Sequence, residues 1–209
     1  MDHSPAQDPL TDVEEHWEVE SSDYLHRDAW VVSLRADHVR APGDGGEAFR
    51  RLVLEHPGAV VVLAVDDDDR VCCLRQYRHP AGRRFVELPA GLLDQEGEEP
   101  EEVARRELRE EVALEARSWT HLTTAWSSPG ISEERMHFFL ARGLGAVDRG
   151  GFELRHEEAD MTVEWVAFAD LHAAVLDGRL QDAPVVLAVL LAAARGLVGT
   201  GAADGSAGE

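Results

Sequence analysis

Residues 59–65 read AVVVLAV, apolar at every position. A strand with one face in water alternates apolar and polar side chains, whereas a strand covered on both faces reads as one continuous β-branched run. This run is typical of a buried strand, and the rest of the chain must supply what covers it. Candidate helices are present in PEEVARRELREEV at 100–112, ADLHAAVLDGRL at 169–180 and APVVLAVLLAAARGL at 183–197. Gly178 and Gly196 are placed to end the last two. Between them stand strand-like stretches: RVCCLRQYR, RFVELPAG, WTHLTTAW, RMHFFLAR and VEWVAF. Strands interleaved with helices indicate an α/β (α+β) sandwich with helices over the faces of a mixed sheet.

The run DDDD at 66–69 turns the chain after the buried strand, and RVCCLRQYR continues as that strand's expected pairing partner. The four aspartates lack the spacing of a calcium loop and read as a solvated turn. Earlier in the chain, WEVESSDYL and AWVVSLRADHVR look like strands, with APGDGGE as a turn rich in Gly and Asp. The expected organisation is a flexible segment 1–14, an N-terminal β-strand segment 15–57, a main domain 58–197 and a flexible tail 198–209.

A formal net charge of −21 on 209 residues repels nucleic-acid phosphates, and no cluster of basic residues overrides it. Nucleic acid is excluded as a partner on this ground. A phosphorylated small molecule is disfavoured too, unless divalent cations stand between protein carboxylates and ligand phosphates. The longest apolar run, APVVLAVLLAAA, is closed by Arg195 and suits a packed helix, so no membrane span is expected. The acidic start lacks the pattern of a secretory signal. The only cysteines, Cys72 and Cys73, are adjacent and read as strand residues on opposite faces in a reducing, cytoplasmic setting.

The helix at 100–112 is unusually acidic. Pro100 suits its first turn, and Ala104, Leu108 and Val112 form an apolar stripe at about 100° per residue. Glu107, Glu110 and Glu111 gather on the neighbouring strip. Like charges four apart destabilise a helix by roughly 0.2 to 0.5 kcal/mol, so Glu107 and Glu111 need a compensating charge. Arg106 can pair with Glu110, which leaves Glu107 and Glu111 to share a hard divalent cation. Taken alone, EEVARRELREE is simply a solvated face; the preceding strand and glycine loop, PAGLLD, change that reading.

The stretch GLLDQEGEEPEEVARRELREEVAL resembles the signature of the Nudix hydrolases. Gly91 opens it, Glu98 is its first acid, Arg106 and Glu107 its Arg-Glu pair, Leu108 its apolar position, Glu110 and Glu111 its double acid, and Leu114 closes it. Two departures stand out: six residues separate Gly91 from Glu98 where the signature has five, and Ala113 replaces a glycine. The resemblance implies a Nudix fold, a mixed-sheet α/β/α sandwich, here with an additional N-terminal antiparallel sheet. It implies Mg²⁺ or Mn²⁺, two or three ions per site, held by Glu107, Glu111 and the carbonyl of Ala90. Glu110 and Arg106 would complete the catalytic strip. The chemistry agrees with the residues, because clustered carboxylates with divalent cations neutralise a pyrophosphate for attack by water.

Beyond the signature, residues 16–197 resemble the ADP-ribose pyrophosphatases of that family, through QYRH, GRRFVELPAGLLD, Pro129 and HEEADM. This resemblance implies hydrolysis of ADP-ribose to AMP and ribose 5-phosphate. It implies Glu158 as the base that deprotonates the attacking water, with Glu157 the alternative. Arg78, whose guanidinium suits phosphate or ribose, Arg84, Glu87 and Glu133 are the implied substrate-binding residues. Trp30, with Trp17 and Tyr24, would stack the adenine. A homodimer whose N-terminal strands cross to the other subunit is implied as well. Two rival readings remain: the same machinery acting on another nucleoside diphosphate sugar or a dinucleoside polyphosphate, and a sensor that binds ADP-ribose without cleaving it. The intact Glu107, Glu110 and Glu111 speak against the sensor.

Overall fold

The computed structural model describes residues 10–43, 46–151 and 160–200. Most of the expected mobile ends, together with Glu157 and Glu158, lie outside the described residues. The chain divides into two compact units, Met1–Glu55 and His56–Glu209.

The first unit is a three-stranded antiparallel sheet in the order β1 (Glu18–His26), β2 (Ser33–Arg40), β3 (Phe49–Glu55). This is the additional N-terminal sheet the sequence leads one to expect. Strand β1 is exposed along its whole length. Arg35 holds the sheet's polar face together, donating to Asp37 at 3.0 Å and to Glu55 at 2.6 Å.

The second unit contains strands β4 (Ala59–Ala64), β5 (Arg70–Arg78), β6 (Arg83–Glu87), β7 (Ala90–Leu92), β8 (Leu114–Trp126), β9 (Arg135–Ala146) and β10 (Thr162–Ala167). Helix α1 (Pro100–Val112) stands between β7 and β8, and α2 (Phe168–Leu176) and α3 (Ala183–Ala194) close the domain. One sheet has the order β7-β4-β9-β8, with β4 and β9 parallel; the other has the order β10-β5-β6.

Buried strand β4 explains the apolar run. Its side chains alternate between two cores. Val60, Val62 and Ala64 meet Val103, Ala104, Leu108 and Val112 of α1, while Val61 and Leu63 meet Phe168, Leu171, Val185 and Val189 of α2 and α3. The cysteines follow the same alternation, Cys72 facing the α1 core and Cys73 the other. Both are free thiols, and burial pushes each up to about 12.

The expected pairing of β4 with β5 is not what forms. An isolated bridge between Val65 and Val71 is the antiparallel link across the aspartate turn, after which the strands enter different sheets. Each needs a hydrogen-bonded neighbour on both edges to bury its backbone. Strand β4 finds these in β7 and β9, and β5 finds them in β6 and β10. A second difference is that β8 begins at Leu114, well before the expected WTHLTTAW, so the chain passes from helix to strand through Ala113 alone.

Candidate active site

Helix α1 sets the site. A turn between Glu99 and Glu102 opens it, with the Glu102 carboxylate accepting from the Glu99 amide at 3.4 Å, and Pro100 occupies the first turn. Burial of Val103, Ala104, Leu108 and Val112 fixes the rotation of the helix about its axis. That rotation aims Glu107 and Glu111 at β7. The Glu111 carboxylate accepts the backbone N–H of Ala90 at 3.0 Å, and Glu111 itself is buried.

Glu107 lies against Gly91 so closely that a β-carbon on residue 91 would overlap its carboxylate. The glycine that opens the signature is thus required for space, since its backbone is paired in ordinary strand register with Val60. Burial pushes the Glu107 carboxyl up to about 7, with the Arg106 guanidinium opposing and Glu110 adding to the rise.

Arg106 gathers the acids. Its Nη1 donates to Glu107 at 2.7 Å and to Glu110 at 3.2 Å, while Nε and Nη2 reach the two oxygens of Glu98 at 3.4 Å. Asp94 stands 4.0 Å away. The expected pair with Glu110 is present, but Glu107 is not left aside by it: the guanidinium reaches back to its neighbour at the shorter distance. A long side chain with several donors serves three carboxylates at once where helix spacing alone suggests one.

Among the described residues, no three His, Cys, Asp or Glu side chains are already gathered around one ion position. The donors nonetheless fit a hard divalent cation. Glu98, Glu107, Glu110 and Glu111 offer carboxylate oxygens, and the missing side chain at Gly91 brings the Ala90–Gly91 backbone against Glu107 and Glu111.

The residues expected to bind substrate are distributed more widely. Arg78 makes a bidentate pair with the buried carboxylate of Glu87, at 2.6 to 3.2 Å. Arg84 pairs with Asp160 and also reaches the backbone oxygen of Arg75 at 3.4 Å. Glu133 and Pro129 are exposed between β8 and β9. Trp30 is 67% exposed, with its amide on Asp28. Trp17 meets the edge of Phe49, and Arg27 lies over the ring of Tyr24.

Two features lie outside the residues singled out above. Asp182 caps α3, accepting from the Val185 amide at 3.0 Å, and burial pushes its carboxyl up to about 6, with Glu87 adding and Arg78 opposing. Its Asp-Ala-Pro sequence is a readable helix-start signal. Arg75, Arg83 and Arg179 come together with Arg84 around a cavity, which no local pattern announces.

The family description NUDIX domain matches residues 55–189. The chain is 45% identical over 178 residues to the ADP-ribose pyrophosphatase of Mycobacterium tuberculosis, spanning 85% of this chain and 84% of that protein. It is 41% identical over 134 residues to the ADP-ribose pyrophosphatase of Bacillus subtilis, spanning 64% and 69%. The fold is similar to a crystal structure of an ADP compounds hydrolase, with a TM-score of 0.71 over 88% of this chain and 96% of that one, at 19% identity.

Proposed function

This chain belongs to the NUDIX domain family, and from that premise we propose that it hydrolyses ADP-ribose to AMP and ribose 5-phosphate. The observation that carries the reading is the half-buried acidic strip of α1, with Glu111 buried and the Glu107 carboxylate filling the space that a side chain on residue 91 would take. The two ADP-ribose pyrophosphatases above supply the substrate.

In this reading Glu107, Glu111 and the Ala90 carbonyl hold Mg²⁺ or Mn²⁺, two or three ions per site. When bound, such ions neutralise pyrophosphate oxygens and make water a better nucleophile. The Ala90 amide fixes the orientation of Glu111, and Arg106 keeps Glu98, Glu107 and Glu110 together despite their repulsion. Glu158, or else Glu157, takes a proton from the attacking water. The water oxygen bonds to phosphorus as the bridging P–O bond breaks, releasing AMP and ribose 5-phosphate. Arg78, braced by Glu87, meets the substrate phosphates, and Arg84 and Glu133 contribute to substrate binding.

The adenine stacks on the aromatics of the N-terminal sheet, Trp30 foremost, supplied across a homodimer. Trp17, Tyr24 and Trp30 are all substantially exposed, and β1 is exposed along its length, which supports a partner surface there. The setting is cytoplasmic, consistent with two reduced cysteines.

The test is AMP release from ADP-ribose by the purified protein with Mg²⁺, beside ADP-glucose, GDP-mannose, NADH and a dinucleoside polyphosphate. Preference for ADP-ribose supports the reading. Preference for another substrate replaces the specificity, and binding without cleavage of any of them overturns it.

A further inference from the structure

Arg75, Arg83, Arg84 and Arg179 line an open cavity of about 270 Å³, with Phe85 and Leu180 forming apolar parts of its wall. The arginines reach it from two neighbouring strands and a turn. Arg75 lies on β5, Arg83 and Arg84 on edge strand β6, and Arg179 follows α2. In a chain with a net charge of −21, four guanidinium groups around one cavity run against the overall field.

Their local charge is incompletely matched. Arg75 lies 2.9 Å from Glu164, Arg84 pairs with Asp160, and Arg179 stands 3.2 Å from Asp177. Arg83 has a neutral partner, donating to the side-chain oxygen of Gln181 at 2.6 Å. Among the described residues, four cations therefore face three carboxylates. The side chains of Arg75, Arg84 and Arg179 are 48%, 42% and 61% exposed, and pairs of such solvated groups are weak enough to exchange for a better acceptor.

We propose that this cavity binds a phosphomonoester. A phosphate dianion offers several oxygens to guanidinium forks, which bind it in bidentate fashion. The apolar wall accommodates the organic group, and the volume suits a single nucleotide or sugar phosphate better than a longer polyanion. No lining residue comes from α1 or from the Ala90–Gly91 backbone, and of the residues assigned above to the substrate the cavity shares Arg84 alone, so Arg83 and Arg179 are the residues that test it.

The probe is AMP, titrated by calorimetry into the full chain in EDTA and low salt, where the acidic strip alone repels phosphate. Saturable binding is expected, weakened about tenfold by R83Q and by R179Q, the loss of about 1.4 kcal/mol that one charge-assisted contact represents. Both substitutions fall on exposed side chains, and circular dichroism checks that the fold is kept. E111Q should leave AMP binding in place. Inorganic phosphate should compete with AMP and adenosine should not. The proposal is overturned by the absence of saturable binding, by binding that either arginine variant leaves unchanged, by loss of binding in E111Q, or by adenosine competing as well as phosphate.

Discussion

The carboxylate of Glu107 occupies the space that a β-carbon on residue 91 would need, which makes Gly91 and Glu107 a single steric unit joining strand β7 to helix α1. Replacing Gly91 with alanine must push the Glu107 carboxylate away from the loop backbone. A displacement of about 1 Å at a reacting centre costs on the order of a hundredfold in rate. G91A is therefore expected to lower kcat/KM for AMP release by about that factor while circular dichroism stays native. A variant as active as the parent would dissolve the unit.

Arg106 is the shared partner of Glu98, Glu107 and Glu110. Arg106→Met leaves those carboxylates to repel one another, at a cost of about 1 to 3 kcal/mol in metal-free protein. A divalent cation then has more to neutralise. Differential scanning calorimetry with EDTA and with Mg²⁺ should show a larger metal-induced rise in Tm for R106M than for the parent; equal rises would contradict the arginine's role as counter-charge.

Ala113 ends α1 at φ 55° and ψ 41°, a left-handed conformation that costs an L-residue with a side chain about 1 to 2 kcal/mol. The family signature has glycine there, and the backbone has kept the glycine conformation without the glycine. Ala113→Gly should stabilise the protein by about 1 kcal/mol, a rise of about 2 to 4 °C in Tm for a chain of this length. No gain, or a loss, would mean that the alanine side chain contributes packing that outweighs the strain.

Asp182 has a carboxyl raised by burial from its ordinary 3.8 to about 6. The folded protein holds that proton more tightly than the unfolded chain, so this group's contribution is fully present below about pH 4 and is lost as the pH rises through about 6. Asparagine keeps the helix cap without the charge. Relative to the parent, D182N should gain about 1 to 2 kcal/mol between pH 4 and pH 7.5 in urea unfolding. A difference that does not change with pH would place the titration elsewhere.

The layered fold was legible because AVVVLAV is apolar on both faces and each face found its own helices. The acidic strip was legible because helical spacing is local, and Gly91 could be singled out by its place before the helix. Strand pairing was not local: β4 pairs in parallel with β9, from Ala59↔Met136 to Ala64↔Ala141, across most of the domain, while the neighbour in sequence went to another sheet. The reach of Arg106 back to Glu107 depends on side-chain conformation rather than spacing, and the meeting of Arg83 with Gln181 depends on how β6 packs beside the end of α2. Such features are set by tertiary contacts that a linear pattern does not carry.

Metal-dependent hydrolysis at the α1 acids is tested most directly by AMP release from ADP-ribose as Mg²⁺ is added to EDTA-treated protein, comparing the parent with E111Q. The parent should show no turnover without metal and saturable activation with it, and E111Q should lose at least about a hundredfold with its fold intact. Turnover in EDTA, or an E111Q enzyme as active as the parent, would contradict it.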